Sequence, residues 1–290
     1  LRYNDEVQFL ANRGYAVLQP NYRGSGGYGP EFFELGTGQI GRAMQDDLDD
    51  AMDWAVAEGI ADPSRVCIVG GSYGGFAAIW GVLRNPERYR CAASWAGVTD
   101  FDKQLAYDRN FFTRRNDRRW RQRIEGEQKN FELDDVSPAL NAEKLTRPIL
   151  LAHGRKDGVV PFSQFTAMER AIDAADIDED LVRKLIIDDA RHSFIDKDHE
   201  KAWYDALVRF LADHNPSDVN TPEVIEAEEA RVKAEAEAAA LAAEEAAALA
   251  EAEAQAAAAA DAKVEAEDGD PVEADVGPDP GSEETPADAE

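Results

Sequence analysis

The sequence has few basic residues for its acidic content. It carries 31 Lys and Arg against 59 Asp and Glu in 290 residues, which gives a formal net charge of −28. A negative charge of this size repels phosphate backbones and anionic membrane surfaces. We therefore expect neither nucleic acid nor a membrane to be a partner of this protein.

Long apolar runs and cysteines are also scarce. No apolar run approaches the roughly 18 residues that a membrane-spanning helix needs. The two cysteines, Cys67 and Cys91, lie in short apolar segments typical of buried strands, and we predict that both are buried, unreactive thiols. Because the sequence begins with Leu1 rather than Met, we expect the true N-terminus, with any signal peptide, to be absent.

Two unlike segments share the chain. Every Trp, Phe and Tyr lies in residues 1–216, whereas residues 217–290 hold 23 acidic and three basic residues, a net charge of −20 against −8 for the rest. We predict a catalytic domain over residues 1–216. Residues 217–267 are Ala/Glu-rich and indicate a helical or coiled-coil-like extension that is solvated or disordered, and residues 268–290 indicate a disordered acidic tail.

Within the first segment, short apolar runs typical of strands alternate with segments in which apolar residues recur at the helical period of about 3.6 residues. The pattern predicts strands at residues 15–19, 66–69, 91–95, 149–152 and 184–187, and helices at residues 4–13, 39–58, 73–84, 163–175 and 197–212. Alternating strands and helices favour an α/β fold with a mostly parallel sheet covered on both faces. Residues 101–145 break the pattern, and we interpret them as an insertion beside the carboxyl edge of the sheet.

The clearest chemical signal is the segment VCIVGGSYGGFAAIW at residues 66–80. It combines a β-branched strand, a G-x-S-x-G turn and an apolar helix, which is the pattern of a nucleophile elbow. The turn would lift Ser72 to the sheet edge, where a base can take its proton. Gly70 and Gly74 would leave room for the turn, and a helix beginning at Tyr73 would point its positive end at developing negative charge.

An acid and a histidine follow in the order that this fold requires. Asp157 comes after the apolar strand at 149–152, and His192 comes after the last strand. We predict that Asp157 orients His192 and that His192 is the base for Ser72. Asp188 and Asp189 are alternative acids, although they end the same strand that precedes His192.

Three other histidines receive weaker interpretations. His153, at a strand end, is predicted to be buried and to fix the Asp157 loop, with a role as the base as its alternative. His199 and His214 lie in or beyond the last helix and are predicted to be solvated.

Two further patterns suggest bound groups, and we favour neither. Residues 24–29 formally match a dinucleotide fingerprint, but we do not expect Pro30 and the following residues to open a helix, so an active-site loop is favoured. His192, Asp196 and His199 lack a further partner for a metal. We predict no metal and no organic cofactor.

Arginine is concentrated in one part of the insertion. These residues could bind a substrate carboxylate, or they could form a solvated helix face paired with nearby acids. They are Arg114, Arg115, Arg118, Arg119, Arg121 and Arg123.

Four motifs carry a resemblance to a known family: FLANRGYAVLQPNYRGSGGYG, DDLDDAMDWAVAEGIADPSRV, GGSYGGFAA and HGRKDGVVP. Together they resemble the catalytic domain of prolyl oligopeptidase-type serine peptidases, nearest the bacterial acylaminoacyl-peptidase and dipeptidyl-peptidase-like members. The resemblance covers residues 3 to about 214 and implies an α/β-hydrolase fold, incomplete at its N-terminus. One departure is ARHSF at residues 190–194, where the family usually has a glycine-flanked histidine.

The resemblance also implies features around the site. It implies an upstream β-propeller, and an upstream strand with an oxyanion loop between the 15–19 and 66–69 strands; neither is found here. The backbone N–H of Tyr73 would be one oxyanion donor. Tyr73, Trp95, Val98 and Phe101 could line the pocket for the residue before the scissile bond, or be ordinary core.

We therefore predict hydrolysis of short peptides through a Ser72 acyl-enzyme. A carboxylesterase on the same scaffold is the alternative enzyme, and a non-catalytic scaffold that recruits partners through its acidic tail is the alternative outside enzymes. The compartment stays open between bacterial cytoplasm and periplasm.

Overall fold

The computed structural model describes residues 3–127 and 132–267, with side chains described up to residue 256. The helices are α1 Asp5–Asn12, α2 Pro30–Glu34, α3 Ala43–Ala57, α4 Tyr73–Arg84, α5 Phe101–Asp108, α6 Arg114–Glu125, α7 Ser163–Ala174, α8 Lys197–His214 and α9 Pro222–Glu267. The strands are β1 Cys67–Gly71, β2 Cys91–Trp95, β3 Ile149–Gly154 and β4 Val182–Ile187.

The four strands form one parallel sheet in the order β1-β2-β3-β4. Their alternate side chains enter two different cores, because successive residues of a strand point to opposite faces. Ala92, Ile149 and Leu151 pack with α4 and α7 on one face. Trp95 and Leu150 pack with α8 on the other. Burial on both faces explains why the central strands β2 and β3 are buried along their whole length, and it confirms the predicted architecture.

The predicted first strand is wrong. Residues 15–19 form no strand in the structure, and β1 stands at the end of the strand order. A strand exists only when its backbone pairs with a neighbour, and no described residues supply that pairing. The first helix is confirmed, since the Asn4 side chain caps α1 by accepting a hydrogen bond from the Val7 N–H at 2.9 Å.

The glycine-rich stretch also differs from expectation. A short helix, α2, does begin at Pro30, which occupies the first turn where its missing N–H costs nothing. This helix has only five residues and does not follow a strand. A dinucleotide fingerprint must follow a strand and open a helix, and that arrangement is therefore not present over these residues.

The chain divides into two units, residues 1–228 and residues 229–290. In the first unit, Ile225 at the start of α9 packs against Phe9, Val208 and Ala212. The described part of the second unit is helical, with exposed side chains from residue 230 to residue 256. The predicted disordered tail at 268–290 lies outside the described residues. None of the described helices has the length and apolar character of a membrane-spanning segment.

Both cysteines are in the sheet, but the prediction of free thiols is wrong. Cys67 and Cys91 are paired in register on the neighbouring strands β1 and β2 and form a disulfide, with their Cα atoms 4.7 Å apart. In-register residues of adjacent strands are close enough for such a bond. The bond joins the strand that leads to Ser72 to its neighbour in the sheet.

Candidate active site

Ser72 lies on a sharp turn between β1 and α4. Its backbone has φ 58° and ψ −121°, a left-handed conformation that costs a non-glycine residue about 1–3 kcal/mol. The surrounding backbone holds it there. The Ser72 N–H donates to the Trp95 carbonyl at 2.8 Å, and the Ser72 carbonyl accepts from the Phe76 N–H at 3.0 Å. The strained strand-to-helix turn that the G-x-S-x-G pattern predicts is therefore present.

Glycine at position 70 allows this turn to close. A Cβ atom at Gly70 would lie 2.5 Å from the backbone of Gly74, which is closer than real Cβ contacts come. A Cβ at Gly74 itself would meet nothing within 4 Å. The predicted need for space is therefore met at Gly70, while the side chain of residue 74 has open space.

Asp157 and His192 are joined by a hydrogen bond. The His192 Nδ1–H donates to Asp157 Oδ2 at 2.8 Å, while Asp157 Oδ1 accepts the backbone N–H groups of Val159 and Val160 at 2.8 and 2.9 Å. With Nδ1 protonated, the lone pair of the neutral ring is on Nε2, which can accept a proton. Asp157 is only 6% exposed, so its carboxylate is held on both oxygens with little contact with water.

The charge state of Asp157 follows from these contacts. Burial by itself would raise the pKa of this carboxyl, but the hydrogen bonds from His192 and from the Val159 and Val160 amides outweigh burial, and the pKa is lowered from its ordinary value. Asp157 is therefore an ionised acceptor near neutral pH. An ionised carboxylate stabilises the imidazolium that would form when His192 takes a proton.

His153 is a buried side chain that contacts the loop carrying Asp157. It is 1% exposed, its Nε2–H donates to the Val160 carbonyl at 2.9 Å, and Nε2 is 3.6 Å from Asp157 Oδ2. Burial lowers the pKa of His153, which favours the neutral ring. The predicted burial of His153 and its contact with the loop are confirmed.

The alternative acids are engaged elsewhere. Asp188 accepts a hydrogen bond from Arg155 at 2.6 Å, and Asp189 is 2.9 Å from Nε2 of His199. The prediction that His199 and His214 are solvated is wrong, since both are partly buried. The His214 ring packs 4.7 Å from the ring of Phe210, and burial lowers its pKa.

Trp95 links the two halves of the site, and the sequence pattern did not reveal this. Its carbonyl accepts the Ser72 N–H, and its indole Nε1–H donates to the His192 carbonyl at 2.9 Å. Its ring packs on Phe194 with centroids 4.3 Å apart. A tryptophan that ends a buried strand was the only local signal for this role.

The remaining predicted pocket residues are mostly buried. Val98 and Phe101 are 8% and 4% exposed and pack in the core that contains α4. Tyr73 packs with its ring 5.4 Å from Tyr22 and 5.5 Å from Phe76. Its N–H belongs to the first turn of α4, where amides have no intrahelical acceptor. Whether these residues form a substrate pocket stays a prediction.

The insertion between β2 and β3 contacts loops on both sides of the site. In α5, Gln104 donates to the Val159 carbonyl at 2.9 Å and Tyr107 donates to the Gly158 carbonyl at 3.1 Å, both next to Asp157. In α6, Arg123 donates to Thr37 Oγ1 at 3.0 Å and to the Gly24 carbonyl at 3.4 Å. The insertion therefore joins the loop of the acid to the glycine-rich segment.

Comparison with known proteins identifies the family to which this fold and site belong. Residues 1–217 match the sequence profile described as "Prolyl oligopeptidase family". The chain belongs to this family. Its curated relatives include dipeptidyl aminopeptidase BIII of Pseudoxanthomonas mexicana, 33% identical over 214 residues, which are 72% of this chain and 30% of that protein. The acylamino-acid-releasing enzyme of Arabidopsis thaliana is 31% identical over 179 residues, 59% of this chain and 23% of that enzyme.

Solved structures agree with the family assignment. A puromycin-hydrolyzing peptidase of Mycobacterium tuberculosis aligns with a TM-score of 0.60 and 25% identity over 68% of this chain and 29% of its own. An acylaminoacyl peptidase of Pyrococcus horikoshii aligns with a TM-score of 0.58 at 21% identity over 68% of this chain and 32% of its own, a likeness of fold alone. The predicted α/β-hydrolase fold is confirmed, and the relatives that this prolyl oligopeptidase-family chain matches are named as peptidases.

The chain spans less than a third of the length of each of these relatives. The upstream β-propeller that the motifs imply therefore stays a prediction.

Proposed function

We propose that this protein hydrolyses peptide bonds of short peptides through an acyl-enzyme on Ser72. The observation that carries the proposal is the arrangement around Trp95, which is bonded to Ser72 on one side and to the loop of His192 on the other. The 2.8 Å bond from His192 to Asp157 completes the arrangement. A strained serine, an imidazole whose Nδ1–H is bonded to a carboxylate, and the burial of that carboxylate are parts that acyl transfer requires.

The reaction would proceed in two halves. Ser72 Oγ attacks the scissile carbonyl carbon as His192 Nε2 takes the hydroxyl proton, and the Tyr73 N–H donates to the oxyanion. His192 then gives its proton to the leaving amine, the C–N bond breaks, and an ester on Ser72 remains. Water, deprotonated by His192, attacks this ester and releases the acid product with the regenerated Ser72 hydroxyl.

Reaction with a fluorophosphonate probe tests the nucleophile. We expect the wild-type protein to be labelled, and Ser72→Ala and His192→Ala to abolish labelling. Asp157→Asn should slow labelling by roughly a thousandfold or more, because the ring would take the wrong tautomer. Asp189→Asn is the matched control, since Asp189 is bonded to His199 instead. A folded wild-type protein that is not labelled would refute the proposal and favour the scaffold alternative.

Matched peptide and ester substrates test the type of bond that is cleaved. We expect turnover of an aminoacyl peptide to depend on Ser72. Turnover of carboxylic esters alone, with no cleavage of any peptide in a panel of short sequences, would replace the peptidase with the carboxylesterase.

A further inference from the structure

Helix α6 carries a charge opposite to that of the chain as a whole. It holds six arginines against Asp117 and Glu125, a net charge of +4, in a chain of net charge −28. This helix therefore keeps a positive charge although the same chain supplies many carboxylates that could have neutralised it.

Only some of these arginines are used within the structure. Arg121 pairs with Glu125 at 3.0 Å, and Arg123 donates to Thr37 and the Gly24 carbonyl. The other four are exposed. Among the residues that the structure describes, we find no ion pair or hydrogen bond for their guanidinium groups; they are Arg114, Arg115, Arg118 and Arg119. The predicted solvated face paired with nearby acids is thus correct for only part of the helix.

The four exposed arginines lie on one face of α6. Positions four apart on a helix are neighbours, so Arg114 lies beside Arg118, and Arg115 beside Arg119. Like charges at this spacing destabilise a helix. The inner face holds Ile124, which is buried. The outer face therefore combines repelling cations with no compensating contact from the residues that the structure describes, which favours an anionic partner from outside.

Exposed aromatic side chains lie on the other side of α6, because Trp120 is four residues before the buried Ile124 and shares its face. Phe111 and Trp120 are 66% and 39% exposed, and Phe112 packs edge-on to Trp120 with centroids 6.3 Å apart. The Trp120 indole donates to Asp108 at 2.8 Å, which ties α6 to the end of α5. These contacts hold α6 by its inner face and leave the outer face to the four arginines.

This surface belongs to the insertion that joins the loop of Asp157 to the glycine-rich segment. We propose that the outer face of α6, defined as Arg114, Arg115, Arg118 and Arg119, binds carboxylates of acidic peptide substrates. The proposal rests on the proposed peptidase function and names a substrate class for it. The guanidinium fork matches the two oxygens of a carboxylate, so side chains of Asp and Glu or a peptide C-terminus would be recognised.

The size of the patch favours a short peptide over a long polyanion. A helix of 12 residues is about 18 Å long, and salt screens charges beyond about 8 Å at physiological ionic strength. A short acidic peptide can bind within the field of the patch. A nucleic acid would extend beyond it over the acidic remainder of the surface, where it would be repelled.

Fluorescence anisotropy tests the surface independently of turnover. The probes are a fluorescein-labelled peptide with three glutamates and its analogue with three glutamines, each titrated with the Ser72→Ala protein. We expect the glutamate peptide to bind more tightly. The quadruple variant Arg114→Gln, Arg115→Gln, Arg118→Gln and Arg119→Gln should weaken its binding about tenfold, since one exposed ion pair contributes at most roughly fivefold. Binding of the glutamine peptide should not change.

A matched quadruple variant controls for net charge. Arg170→Gln, Lys201→Gln, Arg231→Gln and Lys233→Gln remove the same four charges from α7, α8 and α9, and we expect no loss of discrimination between the two peptides. If the quadruple variant does not fold, the double variant Arg114→Gln/Arg118→Gln replaces it in the same titrations. In the active protein, the α6 variant should raise KM for the acidic peptide several-fold and leave kcat unchanged.

Several results would overturn the proposal. These are equal affinity of the Ser72→Ala protein for the two peptides, an equal loss in both quadruple variants, or tighter binding of a single-stranded oligonucleotide than of the glutamate peptide. Failure of the protein to react with fluorophosphonate would refute the proposed hydrolase function and leave the proposed α6 surface untouched. Selective binding of the glutamate peptide by that same protein, lost in the α6 variant, would still support the surface.

Discussion

The indole N–H of Trp95 donates a hydrogen bond to the backbone carbonyl of His192 at 2.9 Å, across 97 residues of sequence. The backbone carbonyl of the same tryptophan accepts the N–H of Ser72 at 2.8 Å. One residue at the end of β2 therefore positions the serine directly and the histidine loop through its side chain. Trp95 is 5% exposed, so this contact is protected from competing water.

Removing only the indole donor should misplace the histidine loop. Trp95→Phe keeps an aromatic ring but loses the bond to His192, and we expect fluorophosphonate labelling to slow by roughly ten- to a hundredfold. The free energy of unfolding should fall by about 1 kcal/mol. Trp80→Phe is the matched control, because its indole donates to the Gly41 carbonyl at 2.8 Å. Equal labelling rates for the two variants would contradict a positioning role for Trp95.

The turn at Ser72 should tolerate a methyl group at Gly74 and not at Gly70. In Gly70→Ala the new Cβ would lie 2.5 Å from the backbone of Gly74. We expect a loss of about 1–3 kcal/mol in the free energy of unfolding, together with loss of labelling, because the turn must open. Gly74→Ala has open space within α4 and should be neutral or up to about 1 kcal/mol stabilising. Urea unfolding compares the two, and similar stabilities would argue against the close approach.

Reduction of the Cys67–Cys91 disulfide should destabilise the protein. The two cysteines are 24 residues apart, and closing a loop of that length stabilises by about 3 kcal/mol in the chain-entropy account. We expect urea unfolding to shift by this amount when dithiothreitol is added. The double variant Cys67→Ala/Cys91→Ala should not respond to dithiothreitol. Two titratable thiols in the unreduced, denatured protein would show that the bond does not form.

His153 should make stability depend on pH just below neutrality. Burial lowers its pKa from the ordinary value of 6.5, so as the pH falls below 6.5 the unfolded chain takes up a proton that the folded protein does not. Stability is therefore lost with falling pH, by up to about 1.4 kcal/mol per pH unit. The neighbouring carboxyl of Asp157 has a lowered pKa, and stability that depends on its charge is lost only below its ordinary value of 3.8.

The variant His153→Gln isolates this contribution. Glutamine retains an amide donor for the Val160 carbonyl but has no charge to gain between pH 7.5 and 5.5. Urea unfolding at these two values should show a smaller loss of stability for the variant than for the wild-type protein. An identical pH dependence would assign the effect to other groups, of which His214 also has a pKa lowered by burial.

The sequence by itself determined the local elements and the order of the chemical groups. The helix Tyr73–Arg84 and the strand Cys91–Trp95 agree with the predicted bounds, because near neighbours and the apolar period decide them. The contact between Asp157 and His192 follows from chain order, since loops after parallel strands meet at one edge of the sheet.

Only the tertiary structure decided which distant groups are paired. Residues 15–19 have the composition of a strand, yet no described strand is their partner. The disulfide depends on the register of β1 against β2, and the role of Trp95 depends on a loop 97 residues away. Local composition carries none of these relationships, because sheet pairing, register and long-range hydrogen bonds form between segments whose separation in sequence gives no information about their separation in space.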